Sequence, residues 1–272
     1  MKLGSLCSGI GGLEIGLQLA GLETETVFVS DIDDGANAWL AANVDAPNLG
    51  DFTKLDELPE VDIITAGFPC QPFSLAGARD GLNDERYLFD DIARLVGRMG
   101  TRPLLFLENV PGLLTTNDRH AFSRLVHSLA AIRYCLTYGL LSAASVGAPH
   151  LRLRWWGLAY PANTDSPRRK KHGRPVATRT KLDTAEHASN RARFGNYGEA
   201  ISRWELTLGR PAPDPVDDGK LSPPFVEWMM GYPEGWVTDT LTSRRQALHA
   251  LGNAVVPQCA AEAFTQLTER RQ

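Results

Sequence analysis

Three short stretches of this chain carry residue types that could do covalent chemistry. In Pro69-Cys70-Gln71-Pro72-Phe73-Ser74 a cysteine stands among prolines. Each proline fixes φ and removes a backbone donor, so Cys70 belongs to a rigid turn rather than a helix or a paired strand. Most lone cysteines are small buried apolar residues, but the flanking prolines favour a nucleophile. In the second stretch a Glu108-Asn109 pair closes the apolar run Leu104-Leu105-Phe106-Leu107. A thiol and a carboxyl at neighbouring strand ends make a nucleophile and acid pair. In the third, Arg152 and Arg154 alternate with leucines, which projects both from one strand face. Such a pair forms surface ion pairs or, aimed into a cleft, holds anions and carbonyl oxygens.

The elements that must position these groups read as an α/β chain. Val61 to Ala66 is a short apolar run that reads as a buried strand leading into the Cys70 turn, and 104–107 reads as a central parallel strand. In an open α/β sheet, ligands and chemistry gather at the carboxyl ends of the strands. Apolar spacing predicts helices over 87–96, 120–131 and from about 244 to 250, with a last one to about 268. Strands are expected over 134–141 and 155–159. The glycine-dotted stretch 75–83 has the composition of a mobile lid.

The amino terminus offers a binding site. Residues 1–13 read as a strand and a Gly-x-Gly-Gly turn at Gly9-Ile10-Gly11-Gly12, followed by a helical pattern through Leu17, Leu19 and Leu22. Glycines there let the backbone approach a ligand, although any tight strand-to-helix connection also favours glycine. Some twenty residues on, Thr26 to Ser30 is a second strand with Asp31 at its end, suited to two ribose hydroxyls. Asp31, Asp33 and Asp34 are all candidate helix N-caps; we read Asp31 as the ribose ligand and leave the cap to Asp33 or Asp34. Asp51, in the turn Asn48-Leu49-Gly50-Asp51-Phe52, could reach an exocyclic amine or could be a surface turn.

The 272 residues can hold one large domain, or one with a small companion, and the 43% apolar and 22% charged composition is that of an ordinary globular protein. No apolar run approaches the length of a membrane span, and the start leaves no room for a signal peptide. The four scattered cysteines lack CxxC or His/Cys ligand spacing, which argues for reduced thiols and against structural zinc. Net charge is −4, yet Ser166 to Arg193 holds nine basic residues, Arg168, Arg169, Lys170 and Lys171 among them, against two acidic ones. A basic segment on an acidic body is the footprint of a nucleic-acid contact; charge runs are also often plain solvated loops. After Tyr160 the periodicity breaks, so 161–220 reads as a small separate region between a main domain of 1–160 and 221–272.

Taken in order, Ser8-Gly9-Ile10-Gly11-Gly12, Pro69-Cys70-Gln71-Pro72-Phe73-Ser74, Glu108-Asn109-Val110, Arg152-x-Arg154 and Gly252-Asn253-Ala254-Val255 resemble the motifs of the DNA cytosine-5 methyltransferases, which use S-adenosylmethionine. The resemblance covers roughly 1–160 and 221–272; residues 161–220 match nothing and fall where that family keeps its variable target-recognition region. It implies a doubly wound Rossmann-like sheet with a small, irregular target-recognition region. Carried over, it places Gly9, Gly11 and Gly12 at the cofactor's methionine end, Cys7 and Ser8 in the cofactor pocket, Asp31 on the ribose, and Ile32, Asp51 and Phe52 about the adenine. Pro69, Leu88, Asn253 and Val255 would complete that pocket. Cys7 stands where the family usually has Phe, His150 where it usually has Gln, and Ala254 where Ser is common.

The chemistry so implied is internally consistent. Carbon 5 of cytosine is a poor nucleophile until a thiolate adds at C6, so Cys70 would supply covalent catalysis. Glu108 would protonate or share a proton with N3 and read the N4 amine. Arg154 would hold O2, and Arg152 would orient Glu108 or the catalytic turn. The base must leave the duplex to reach them, with Ser74 near the phosphate backbone and the basic 161–220 segment anchoring double-stranded DNA. The expectation is a monomeric cytoplasmic enzyme of bacterial or phage origin, without metal, and open to a partner restriction endonuclease. An RNA cytosine-5 methyltransferase of the same fold, a catalytically silent nucleic-acid-binding relative and a Rossmann-type oxidoreductase are the competing readings.

Overall fold

The computed structural model describes residues 1–69, 87–115, 120–162 and 184–271. Cys70, Ser74, Arg168, Arg169, Lys170 and Lys171 lie outside the described residues. The chain runs β1 (Lys2–Leu6), α1 (Gly12–Leu19), β2 (Glu25–Phe28), α2 (Asp34–Asn43), β3 (Ile63–Ala66), α3 (Leu88–Val96), β4 (Leu104–Asn109), α4 (His120–Ala131), β5 (Tyr134–Ser142) and β6 (Leu153–Pro161). It continues through α5 (Thr184–Phe194), α6 (Gly198–Leu208), the short strands β7 (Val216–Asp217) and β8 (Lys220–Leu221), α7 (Pro223–Met229), α8 (Arg244–Asn253) and α9 (Pro257–Arg271).

Six strands form one sheet in the order β2-β1-β3-β4-β6-β5. β1 to β4 are parallel, and β6 runs antiparallel to both β4 and β5. The strand alternation divides the core between two faces, because successive side chains point to opposite sides. Leu3, Ile63, Phe106, Trp156 and Leu158 face α1 and α9, where they meet Leu13, Leu17, Ala260 and Phe264. Leu6, Ile64, Ala66, Leu105 and Leu107 face α3 and α4, against Ile92, Leu95, Leu125 and Leu129. Covering both faces makes β3 apolar apart from Thr65, whose buried hydroxyl donates to Glu14, and Glu108 and Asn109 stand at the carboxyl end of β4. β1 lies between β2 and β3, so the chain winds first one way from β1 and then the other. The crevice at that reversal, beyond the carboxyl ends of β1 and β3, is the binding position of such sheets.

Within the 161–220 segment, expected to be irregular, residues 184–208 form the helices α5 and α6. The side chains of Ile201 and Trp204 are buried in the same cluster as Trp228 and Tyr232, and the Trp204 indole donates to the Trp228 carbonyl at 2.9 Å. The signal was present: Ile201, Trp204 and Leu208 recur at helical spacing, but surrounding Arg and Glu residues diluted it. A second difference concerns the arginine pair. Arg154 belongs to β6, whereas Arg152 precedes it, and the two side chains take different partners.

Candidate active site

Most catalytic and cofactor candidates in the described residues are delivered by a strand end or the turn after it, while Leu88 opens α3 and Asn253 and Val255 stand at and just after the end of α8. After β1, the chain turns through Cys7 (φ 51), Gly9 (φ 56) and Gly11 (φ 73) into α1. A left-handed conformation is cheap for glycine and strained for Cys7. The turn is fixed to the next strand end. The Gly9 amide donates to Asp31 Oδ2 at 2.8 Å, while Asp31 Oδ1 accepts from the amides of Ile32 and Asp33 at 2.8 and 2.9 Å. Asp33 caps α2 by accepting from the Ala36 amide, which leaves Asp31 to the crevice. Asp51 accepts from the Thr53 amide and hydroxyl and pairs with Lys54 at 2.9 Å. Those Thr53 and Lys54 hydrogen bonds hold its carboxyl below the ordinary range.

The crevice encloses a cavity of about 510 Å³. Cys7, Ser8, Gly9 and Gly12 line it from the first turn, Asp31 and Ile32 from the second, and Asp51 and Phe52 from the third. Pro69, Leu88, Asn253 and Val255 line it as well, as do Glu108, Arg152 and Arg154. Gly11 does not: it faces away, toward the rings of Trp39 and Trp236. Tyr232 and Asn109 also border the cavity, and neither was singled out as a site residue from sequence. Tyr232 is fully buried and its hydroxyl donates to the Val255 carbonyl at 2.9 Å. A tyrosine within an aromatic-rich run reads as core, so no sequence signal separated it from its neighbours.

Glu108 and Arg154 form the ionisable centre. The Arg154 Nε donates to Glu108 Oε1 at 2.9 Å, and the Glu108 side chain is 10% exposed. Burial pushes the Glu108 carboxyl up to about 7, against the opposing pull of Arg154 and then Arg152. A carboxyl poised near neutrality can hold or give up a proton at working pH. Arg152, whose charge also acts on Glu108, makes contacts of its own. Its Nη2 donates to the carbonyl of Gly252 at 2.9 Å and to that of Ala254, tying the end of α8 to the strand that carries Arg154. His150 Nε2 donates to the Met229 carbonyl at 3.1 Å, and burial keeps its imidazole below the ordinary value. The segment leading into β6 is thus anchored to the carboxyl ends of α7 and α8.

The turn after β3 is held from β4. Asn109, 2% exposed, donates from Nδ2 to the Phe68 carbonyl at 2.8 Å and accepts the Val110 amide at Oδ1. Cys7 has a thiol pushed up to about 12, by burial first and then by the charge of Asp31. It is a wall of the cavity and no nucleophile.

With this geometry in hand, the comparisons with known proteins are specific. The family model for C-5 cytosine-specific DNA methylase matches residues 1–182. Type II methyltransferase M.BanI of Aneurinibacillus aneurinilyticus is 38% identical over 160 residues, 57% of this chain and 37% of that protein. M.MspI of a Moraxella species is 36% identical over 163 residues, 58% and 38% of the two chains. These matches therefore span well under half the length of those relatives. M2.BsuMI of Bacillus subtilis (strain 168) is 29% identical over 283 residues, covering 94% of this chain and 72% of that one. Among solved structures, the Dnmt2 methyltransferase of S. pombe superposes with a TM-score of 0.67 at 21% identity over 99% of this chain and 98% of that one; that likeness concerns the fold. The matched residues include the first three turns and the Glu108–Arg154 pair that line the cavity, and the chain belongs to the C-5 cytosine-specific DNA methylase family.

Proposed function

We propose that this protein transfers a methyl group from S-adenosylmethionine to C5 of a cytosine flipped out of duplex DNA. The observation that carries the reading is the buried Glu108–Arg154 pair, with a carboxyl near neutrality, on the wall of the cavity that Pro69 also lines. Cys70 follows Pro69 in the chain.

The residues present fit the cofactor. The missing Cβ of Gly9 would point into open space, leaving room for a ligand against the backbone. Asp31, already organised by three amides, presents a carboxylate at the rim for two hydroxyls. Phe52 and Leu88 offer apolar walls, and Asn253 and Val255 close the opposite side. When bound there, S-adenosylmethionine supplies an electrophilic methyl group.

The protein's own groups then act on the base. The Cys70 thiolate forms a bond to C6, and the electron pair of the C5–C6 double bond becomes available at C5. Glu108 holds a proton at N3 and accepts from the N4 amine, which neutralises the charge the addition puts on the ring and selects cytosine. Arg154 fixes Glu108 and donates to O2. Loss of the C5 proton to water restores the double bond and expels Cys70. Ser74 and the basic residues Arg168, Arg169, Lys170 and Lys171 are proposed as phosphate contacts, and the 161–220 segment as the reader of flanking bases. A monomer acting within the cytoplasm, with or without a cognate endonuclease, is the accompanying proposal.

The test is labelled-methyl transfer to unmethylated duplex DNA and, in parallel, to tRNA, with base-resolution sequencing of the product. Label on cytosine C5 within a recurring DNA motif is the expected result. Label confined to RNA would replace the substrate, and none in either would contradict the activity.

A further inference from the structure

The glycine turn that fits the cofactor is held from behind by an aromatic residue far away in the chain. Trp236 lies in the loop between α7 and α8 and does not line the cavity. Its indole Nε1 donates to the carbonyl of Ile10 at 2.9 Å. Its own carbonyl accepts from the Trp39 indole at 2.6 Å. The Trp39 and Trp236 rings pack with centroids 5.2 Å apart, and Tyr232 stacks on Trp236 at 6.4 Å.

The loop that carries Trp236 is itself fixed by a carboxylate. Glu227, 1% exposed, accepts the amides of Gly235, Val237 and Thr238 at 2.8, 2.7 and 3.0 Å. The chain of contacts therefore runs from α7 through this loop to Ile10. We infer that Trp236 is a positioning residue for cofactor binding: by donating to the Ile10 carbonyl it selects the orientation of the Ile10–Gly11 peptide, and with it the shape of the turn against which the cofactor lies. The inference rests on the reading of the cavity as the S-adenosylmethionine site.

The physical case is that this peptide would otherwise be loose. Ile10 is flanked by Gly9 at φ 56 and Gly11 at φ 73, and glycines on either side make a peptide flip cheap. A buried carbonyl needs a donor, and Trp236 supplies one only in the observed orientation. That orientation directs the Gly11 amide to the Ser8 carbonyl at 3.1 Å, so it defines the turn on both sides. The room behind the turn is filled: a Cβ at Gly11 would lie 3.2 Å from the Trp39 ring and 3.8 Å from Trp236. The turn cannot relax backwards, and Trp236 decides which face its amides show.

Trp236→Phe keeps a ring and removes the donor. By calorimetry with S-adenosylhomocysteine, the variant is expected to bind about tenfold more weakly than the unaltered protein, the usual effect of orphaning one buried acceptor. In steady state the KM for S-adenosylmethionine rises while kcat at saturation holds, a split that general loosening would not give. A second readout uses the unaltered sequence: in protein labelled with fluorotryptophan, the resonance that Trp236→Phe removes should shift when S-adenosylhomocysteine is added. Unchanged affinity in the variant, or a Trp236 resonance indifferent to ligand, would overturn the inference while leaving the cofactor site intact. No binding to the unaltered protein would overturn the cofactor reading and this inference with it.

Discussion

The side-chain amide of Asn109 donates to the carbonyl of Phe68 at 2.8 Å, so the last residue of β4 holds the turn that leads into Cys70. Pro69 cannot donate a backbone hydrogen bond of its own, which leaves this contact from β4 as a fixed point just before the proposed nucleophile. Asn109→Ala removes it and orphans the carbonyl, a change worth about 1–3 kcal/mol. The expected outcome is a fall in kcat of about tenfold or more, because small misplacements of a reacting group are expensive. Affinity for S-adenosylhomocysteine should fall far less than kcat by calorimetry, since among the candidate cofactor residues this contact supports only the turn that carries Pro69.

Glu108 gives a pH dependence whose sign is fixed. Its folded-state value of about 7 stands above the ordinary 4.5 because burial outweighs Arg154 and Arg152. The native state therefore holds this proton more tightly than the unfolded chain does. Stability from this group is fully present below about pH 4.5 and is lost as pH rises through about 7. A single-turnover methylation rate that needs the protonated carboxyl should likewise decline above pH 7. Glu108→Gln should lower the rate by about 100-fold and flatten that alkaline limb. A limb that survives in the variant would assign it to another group.

Arg152 is expected to matter to the cofactor more than to the base. Beside the orienting of Glu108 or the catalytic turn that the resemblance implies for it, its guanidinium donates to the carbonyls of Gly252 and Ala254, next to Asn253 on the cavity wall. Arg152→Ala should raise the dissociation constant of S-adenosylhomocysteine about tenfold, as loss of a charged donor to buried carbonyls does. Arg154→Ala should instead lower kcat with little effect on that constant. Calorimetry on both variants separates the roles.

His150 stands where the resemblance implies a Gln, and its contact is one that either side chain can make. It uses Nε2 to reach the Met229 carbonyl, and burial keeps the ring neutral at pH 7. A glutamine amide can make the same donation. His150→Gln should retain the melting temperature within a few degrees, whereas His150→Ala should lose about 1 kcal/mol or more. Thermal denaturation of the two variants checks it.

How far the sequence could be read differs by element. Apolar runs and periodicity placed β3, β4, α3 and α4 because each is buried on a regular face, and the polar groups closing those runs were the site residues. Asp33 takes the capping position that its spacing allows, and Asp31 lines the cavity. The illegible part was long-range. Nothing near Arg152 in sequence points to Gly252, and nothing near Ile10 points to Trp236, since both contacts join segments about 100 and 226 residues apart. The helix over 198–208 is illegible in sequence because Ile201 and Trp204 are set among Glu199, Arg203 and Glu205, of which Glu205 bonds to Asn190 and Ala212 outside the helix.

The central claim is that Cys70 attacks the cytosine ring beside Glu108. Duplex DNA carrying 5-fluorodeoxycytidine tests it directly, because fluorine at C5 cannot leave as the proton does and the thioether to C6 persists after methyl transfer. Incubated with S-adenosylmethionine, the protein should form a denaturation-resistant complex whose peptide map places the nucleotide on Cys70, and Cys70→Ser should abolish it. Ready trapping by Cys70→Ser, or an adduct on another residue, would contradict the account.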